Sequence, residues 1–120
     1  MPQPIEHIDW ADRNEEFAKS FYLDDQLEIN WAITLLFYSA LHYADAYIVA
    51  RGRPRYDHAS RERSMHDVFF DPIRTDYKRL KDLSREARYN IAPLTKQDFA
   101  IADAALQRIK AHILPRVKSR

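Results

Sequence analysis

The sequence contains no cysteine and only one glycine among its 120 residues. The lack of cysteine excludes disulfides, a thiolate nucleophile and cysteine-ligated zinc. It also fits a reducing compartment, so we expect a cytoplasmic protein. The scarcity of glycine argues against β-structure, because tight hairpins commonly need glycine where the backbone takes a positive φ. Long helices joined by short turns need far less of it, so the composition predicts an all-α fold.

The N-terminal segment is acidic and lacks the basic-then-apolar order of a secretory signal. The most apolar stretch, Trp31 to Ala50, is about as long as a membrane span. It carries His42 and Asp45 in its interior, where ionisable groups are costly in lipid. We therefore expect a buried core helix and no membrane partner.

Charge is distributed unevenly, although the formal net charge is only +1. Residues 1–50 carry two basic and nine acidic side chains, residues 51–88 carry eleven and seven, and residues 89–120 carry six and two. The basic second half permits a face for an anionic partner. Ordinary solvated helix faces, whose charges cancel when the two halves pack together, explain the pattern equally well.

Apolar residues recur at steps of three and four, the period of an amphipathic helix. Long helices are predicted from Asp9 to Tyr22, Gln26 to Arg51, Asp71 to Arg88 and Lys96 to Leu114, and a short helix from Ser60 to Phe70. Gly52 and Pro54 end the second helix, and Thr95 caps the last one together with Asp98. We predict one domain: an antiparallel up-and-down four-helix bundle with a short extra helix between the second and third long helices.

Three polar residues interrupt the apolar second helix. Tyr38, His42 and Asp45 fall at steps of four and three, so they share one helix face. A carboxylate one turn from an imidazole can orient the ring and stabilise its charged form. His42 is therefore a candidate for proton transfer, with Tyr38 and Asp45 in support. Alternatively, the pair is a hydrogen-bonded pair buried against a neighbouring helix.

Further candidates lie in the predicted short helix. His58, Arg61 and His66 could combine proton transfer with phosphate stabilisation if folding or dimerisation brings them together. Arg61 and His66 match the pattern R-x-x-x-x-H, but residues five apart do not share a helix face closely. The alternative is a set of solvated charges on a surface helix.

A third group closes the third long helix. Arg85 and Arg88, followed by Tyr89, are candidates for binding a nucleic acid or a nucleotide. Arginines at a helix C-terminus also satisfy the last carbonyls and the helix dipole, which is the structural alternative. No phosphate loop, nucleophile elbow or zinc signature is present. The five histidines are scattered along the sequence, so we expect neither a metal nor a cofactor.

These residues give the chain a resemblance to HEPN domains. The segment NWAITLLFYSALHYADAYIVARGRPRYDH looks like the central part of that family, with its F/Y-Y-x-A-x-H core, terminal R-G and proline-to-histidine loop. LKDLSREARYN resembles the family's later helix. The likeness spans roughly Asn30 to Asn90 and rests on a pattern of residue types.

The resemblance implies a four-helix bundle that is commonly a homodimer. Many family members are metal-independent ribonucleases of toxin–antitoxin and antiphage systems, and others are accessory or nucleotide-binding modules, often beside a nucleotidyltransferase. In the nucleases, an R-x4-6-H motif lies at the junction of the last two long helices. Here that junction is Arg85 to Asn90, and asparagine stands where the histidine is expected. Asparagine cannot transfer a proton, which favours a non-catalytic module.

Three functions therefore remain open from the sequence. The favoured one is a dimeric module that binds RNA or a nucleotide, as an accessory component of a defence system with a protein partner. The alternative is a metal-independent endoribonuclease that uses a histidine–arginine site. The third is a structural bundle with no ligand.

Overall fold

The computed structural model of the chain describes residues 3–52, 58–89 and 93–118. Within these ranges the helices are α1 (Pro4–Lys19), α2 (Gln26–Ala50), α3 (His58–Ser64), α4 (Arg74–Tyr89) and α5 (Lys96–Lys118), with a 3-10 helix at Val68–Ile73. No described residue lies in a β-strand. The predicted all-α bundle of four long helices, with a short helix between the second and third, is thereby confirmed.

Helix α2 forms the centre of the bundle and contacts α1, α4 and α5. Its residues Ile33, Leu36 and Ile48 are almost fully buried. An 18-residue stretch of α2 is long and apolar enough to cross a membrane, yet 72% of it is buried inside the fold. Burial of this kind is what a core helix shows, as the sequence predicted for this stretch.

Helix α1 packs on α2 through Ile8 and through small and polar residues rather than through its aromatic ones. Ala11 and Ala18 are fully buried, whereas Trp10 and Phe17 are 52% and 58% exposed. The small side chains let the two backbones approach, and the Ser39 hydroxyl donates to the Ala11 carbonyl at 2.8 Å. The regular spacing of the aromatic residues therefore marks the outer face of α1.

The segment between α2 and α4 differs from the prediction. Helix α3 ends at Ser64, and the predicted continuation to Phe70 is replaced by a turn and the 3-10 helix. Asp67 caps the 3-10 helix by accepting from the Phe69 amide at 2.9 Å. Arg74 donates to the Met65 carbonyl at 2.6 Å, which fixes the turn. Helix α4 consequently begins at Arg74 and not at Asp71.

Several predicted helix ends are also shifted. Helix α1 begins at Pro4, five residues before the predicted start, because proline suits the first helical turn. Helix α5 continues through Pro115, which was expected to end it. Val117 beyond the proline is 9% exposed and packs in the core, which helps to hold this last turn. The predicted cap of α5 is confirmed: the Asp98 amide donates to the Thr95 hydroxyl at 3.1 Å.

Candidate functional site

A groove between α2 and the C-terminal end of α4 brings together several of the predicted binding residues. Asn30 on α2 ties the two helices by donating to the Ala87 carbonyl at 3.2 Å. Two cavities of about 320 and 300 Å³ lie along this groove, and Arg88 lines both. We call this surface the α2–α4 groove. Its cavities are lined at one end by Leu27, Asn30, Trp31, Thr34, Ala87 and Arg88, and at the other by Phe37, Leu41, Arg61, Glu62, Tyr77, Lys81, Arg85 and Arg88.

Arg88 is held at the centre of the groove by contacts on both sides. Its Nη1 donates to the Ser84 hydroxyl at 2.7 Å and to the Tyr38 hydroxyl at 3.4 Å. The guanidinium also lies over the rings of Tyr38 and Tyr89, at 5.8 and 5.3 Å from their centroids. Ser84 is fully buried and fixed by the core. The guanidinium is therefore positioned while Arg88 itself stays exposed.

Three aromatic residues in or beside the groove are unusually open to solvent, whereas Phe37 and Tyr77 in its lining are buried. Trp31 is 54% exposed, Tyr89 74% and Tyr38 38%. Trp31 was not among the predicted site residues. It precedes Tyr38 by seven residues on α2, and that spacing, which places two residues on one helix face, was the signal that could have identified it.

Further cationic side chains extend the groove toward α3. Arg85 is exposed, one turn before Arg88 on α4. Lys81 lines the same cavity and is paired with Glu62 at 3.0 Å. Exposed pairs of this kind are weak, so the lysine can exchange its partner for another anion. The groove thus combines cations with open aromatic faces.

A second polar group is formed by residues of α1 and α2. The Nδ1 atoms of His7 and His42 are 3.2 Å apart. One ligand atom from each of His7, His42 and Asp45 lies within 4.8 Å of the others. We call these three residues the histidine cluster. His7 was not a predicted site residue, because its proximity to His42 depends on how α1 packs along α2.

Asp45 is bound by Arg61 from α3. The Arg61 Nε donates to Asp45 Oδ1 at 2.9 Å, and Nη2 donates to Oδ2 at 3.2 Å. Both side chains are buried, at 8% and 1% exposure. Burial alone would lower the pKa of Arg61, but the hydrogen bonds and charge of Asp45 raise it above its usual value. The pair is consequently a charged, bidentate ion pair inside the protein.

Two further residues predicted to be catalytic, His58 and His66, lie at the start of α3 and just after its end. His66 follows the end of α3 and is exposed. Arg61, which shares the R-x-x-x-x-H pattern with it, is buried against Asp45. His58 begins α3, but its side chain lies outside the described part, as does Asn90.

No protein-family model matches the sequence, and no curated protein matches it either. The chain is an all-α bundle by its fold, and the α2–α4 groove and the histidine cluster are its two candidate functional sites.

Proposed function

We propose that this chain is a HEPN-like helical module that binds RNA or a nucleotide in the α2–α4 groove. The observation that carries the proposal is the placement of Arg88 over the rings of Tyr38 and Tyr89, in a cavity that the exposed Trp31 also lines. Guanidinium groups bind phosphate in a bidentate manner, and open aromatic rings stack on bases. The groove offers both kinds of contact side by side.

The residue types match single-stranded nucleic acid or a nucleotide better than duplex DNA. Bases are accessible for stacking only where they are unpaired. The net charge of +1 argues against the extended cationic surface that tight duplex binding uses. Arg85 and Lys81 at one end of the groove would contact phosphate, and Trp31 at the other would stack on a base.

The HEPN resemblance supplies the biological setting of the proposal. We infer an accessory role in a toxin–antitoxin or antiphage system, as a cytoplasmic homodimer with a protein partner such as a nucleotidyltransferase. Support comes from the groove, which binds without needing a catalytic histidine, and from the asparagine at position 90. The exposed aromatic residues of α1 support the dimer.

Fluorescence anisotropy with labelled single-stranded RNA, competed by free nucleotides, tests the binding role. We expect saturable binding that Arg88→Ala weakens by roughly 10- to 100-fold, because hydrogen bonds to charged groups contribute about 1.5–3 kcal/mol. Arg79→Ala is the matched control, since Arg79 is an exposed arginine outside both cavities of the groove. Equal affinity of both variants and the wild type would place binding elsewhere, and no binding would reject the proposal.

The alternative function is a metal-independent endoribonuclease. It is favoured by one observation, the 3.2 Å approach of His7 to His42 beside the Arg61–Asp45 pair. An imidazole near a fixed arginine could accept a proton during attack by a 2′-hydroxyl. In this alternative His42 is the proton acceptor, and Arg61 orients it through Asp45.

RNA cleavage in EDTA separates the two functions. Wild type is compared with His42→Ala, His58→Ala and His66→Ala under identical conditions. Cleavage that resists EDTA and is lost in His42→Ala alone supports the nuclease. Equal cleavage in all four samples indicates a contaminant, and RNA binding without cleavage supports the accessory module.

A further inference from the structure

We propose that His7, His42 and Asp45 form a binding site for a divalent transition-metal ion of the zinc type. Two of these residues are one turn apart on α2, and the third comes from the neighbouring helix α1. Two imidazoles and one carboxylate form a ligand set that proteins use for Zn²⁺ and related ions, with a position left for water or substrate. The site requires no cysteine, which the sequence lacks.

The separation of the two imidazoles suits a metal ion. In a tetrahedral site with metal–nitrogen distances of about 2.0–2.1 Å, two ligand nitrogens lie roughly 3.3–3.4 Å apart. The Nδ1 atoms of His7 and His42 are 3.2 Å apart. The two nitrogens are therefore already at the separation of two ligands of one ion, and the rings would need to rotate so that both lone pairs point to it.

The carboxylate needs a larger adjustment. One of its oxygens lies within 4.8 Å of a ring nitrogen of each histidine, so it must approach them by roughly 1.5 Å to reach the separation of two ligands in a tetrahedral site. A carboxylate has about four acceptor positions, which allows Asp45 to keep its hydrogen bonds to Arg61 while it binds an ion. Hydrogen bonds of this kind commonly orient ligating carboxylates.

The burial of the histidine cluster and the positive charge of Arg61 affect the affinity for a metal ion in opposite directions. His7 and Asp45 are only 2% and 1% exposed, so their interactions with an ion are poorly screened by solvent. The guanidinium of Arg61 repels a cation, and we therefore expect weaker binding than in a site without it. His42 is half-buried beside the exposed Trp10 ring, whose centroid lies 6.5 Å away, so one of the three ligands remains partly open to solvent.

Titration of the tag-free, EDTA-treated and dialysed protein tests the site. Zn²⁺ binding is followed by calorimetry, and Co²⁺ binding by its visible ligand-field absorption. We expect one ion per chain and a tetrahedral Co²⁺ spectrum. His7→Gln and His42→Gln should each weaken binding beyond the ~10–100-fold typical of changes outside the ligand set. His66→Gln, which removes an exposed imidazole, should bind like the wild type.

Two further measurements guard against misfolded variants. Circular dichroism must show that the variants keep the helix content of the wild type. If His7→Gln loses helix, the metal affinity of His42→Gln decides the test, because the His42 ring is only half-buried. In wild-type protein, NMR should show that Zn²⁺ shifts the ring resonances of two of the five histidines. The absence of saturable binding, unchanged binding in His42→Gln, or shifts confined to other histidines would each overturn the proposal.

Discussion

Arg61 and Asp45 form a bidentate ion pair inside the bundle, with Nε–Oδ1 and Nη2–Oδ2 distances of 2.9 and 3.2 Å. The pair joins α3 to the central helix α2. Because Arg61 also lines the α2–α4 groove while Asp45 belongs to the histidine cluster, the ion pair connects the two candidate sites.

Truncation of this pair is expected to destabilise the fold strongly. Asp45→Ala leaves the Arg61 guanidinium buried without its carboxylate, and losses of about 3–5 kcal/mol are typical of such changes. Urea unfolding followed by circular dichroism measures the effect. Arg63→Ala is the control, because Arg63 is exposed two residues further along α3 and should change stability by less than about 0.5 kcal/mol. Equal effects of the two substitutions would contradict a buried, charged pair.

Features that depend on neighbours along one helix could be predicted from the sequence, whereas contacts between different helices could not. The inner faces of α4 and α5 followed from local periodicity, and Leu80 and Leu106 are indeed fully buried. The one-turn spacing of Tyr38 and His42 did not place them in one site, because Tyr38 contacts Arg88 of α4 and His42 contacts His7 of α1. The sequence could not predict that His7 meets His42, because that contact depends on the packing of α1 along α2.

Helix boundaries near two prolines also differ from the prediction. The third long helix was predicted to begin at Asp71, which would put Pro72 in its first turn, but the structure places Pro72 in the 3-10 helix. Hydrogen bonds from Arg74 to the preceding turn decide the outcome there. At Pro115, core packing by Val117 outweighs the local preference to end the helix. In both cases contacts with other parts of the chain outweighed the local preference of proline for a helix start or a helix end.

Stability should decrease in acid because of Glu15. Burial alone would raise the pKa of this carboxyl, but hydrogen bonds from Lys110, Gln107 and Lys19 outweigh it and lower the pKa to about 2. A depressed folded-state pKa stabilises the fold above the unfolded value of 4.5 and loses that contribution as pH falls toward 2. Thermal midpoints measured from pH 6 to pH 3 should therefore fall more steeply in wild type than in Glu15→Gln.

Glu16→Gln is the matched control for this prediction. Glu16 is the adjacent residue on α1 and is exposed, so its substitution should leave the pH dependence of the midpoint unchanged. Parallel curves for wild type and Glu15→Gln would show that the carboxyl at position 15 does not contribute.

The close contact between α1 and α2 should not tolerate a larger side chain. Ala11 is fully buried beside Ser39, whose hydroxyl bonds its carbonyl. Ala11→Leu is expected to cost about 1–3 kcal/mol, the usual effect of overpacking a core. Ala104→Leu makes the same change at an exposed position of α5 and should be nearly neutral. Denaturant midpoints with unchanged slopes would give the comparison, and similar losses in both variants would argue against tight packing at Ala11.

Substitutions at Tyr38 distinguish the ring from the hydroxyl in the α2–α4 groove. The hydroxyl accepts a long hydrogen bond of 3.4 Å from Arg88, while the ring lies under the guanidinium. Tyr38→Phe should thus change RNA affinity by less than about 3-fold, whereas Tyr38→Ala should weaken it by about 5-fold or more, since base–aromatic stacking contributes about 1–3 kcal/mol. Anisotropy titrations give both values. A larger effect from Tyr38→Phe would assign the role to the hydroxyl.

Dimerisation is expected to use the outer face of α1. Trp10 and Phe17 lie seven residues apart on this helix and are both more than half exposed, an unusual arrangement for aromatic side chains that have no partner surface to cover. Phe17→Glu should shift the mass measured by light scattering at micromolar concentration from dimer to monomer. Glu16→Gln, at the exposed neighbouring position, should remain dimeric. A wild-type protein that is strictly monomeric at the same concentration would contradict the predicted homodimer, and it would leave the aromatic face of α1 for the protein partner.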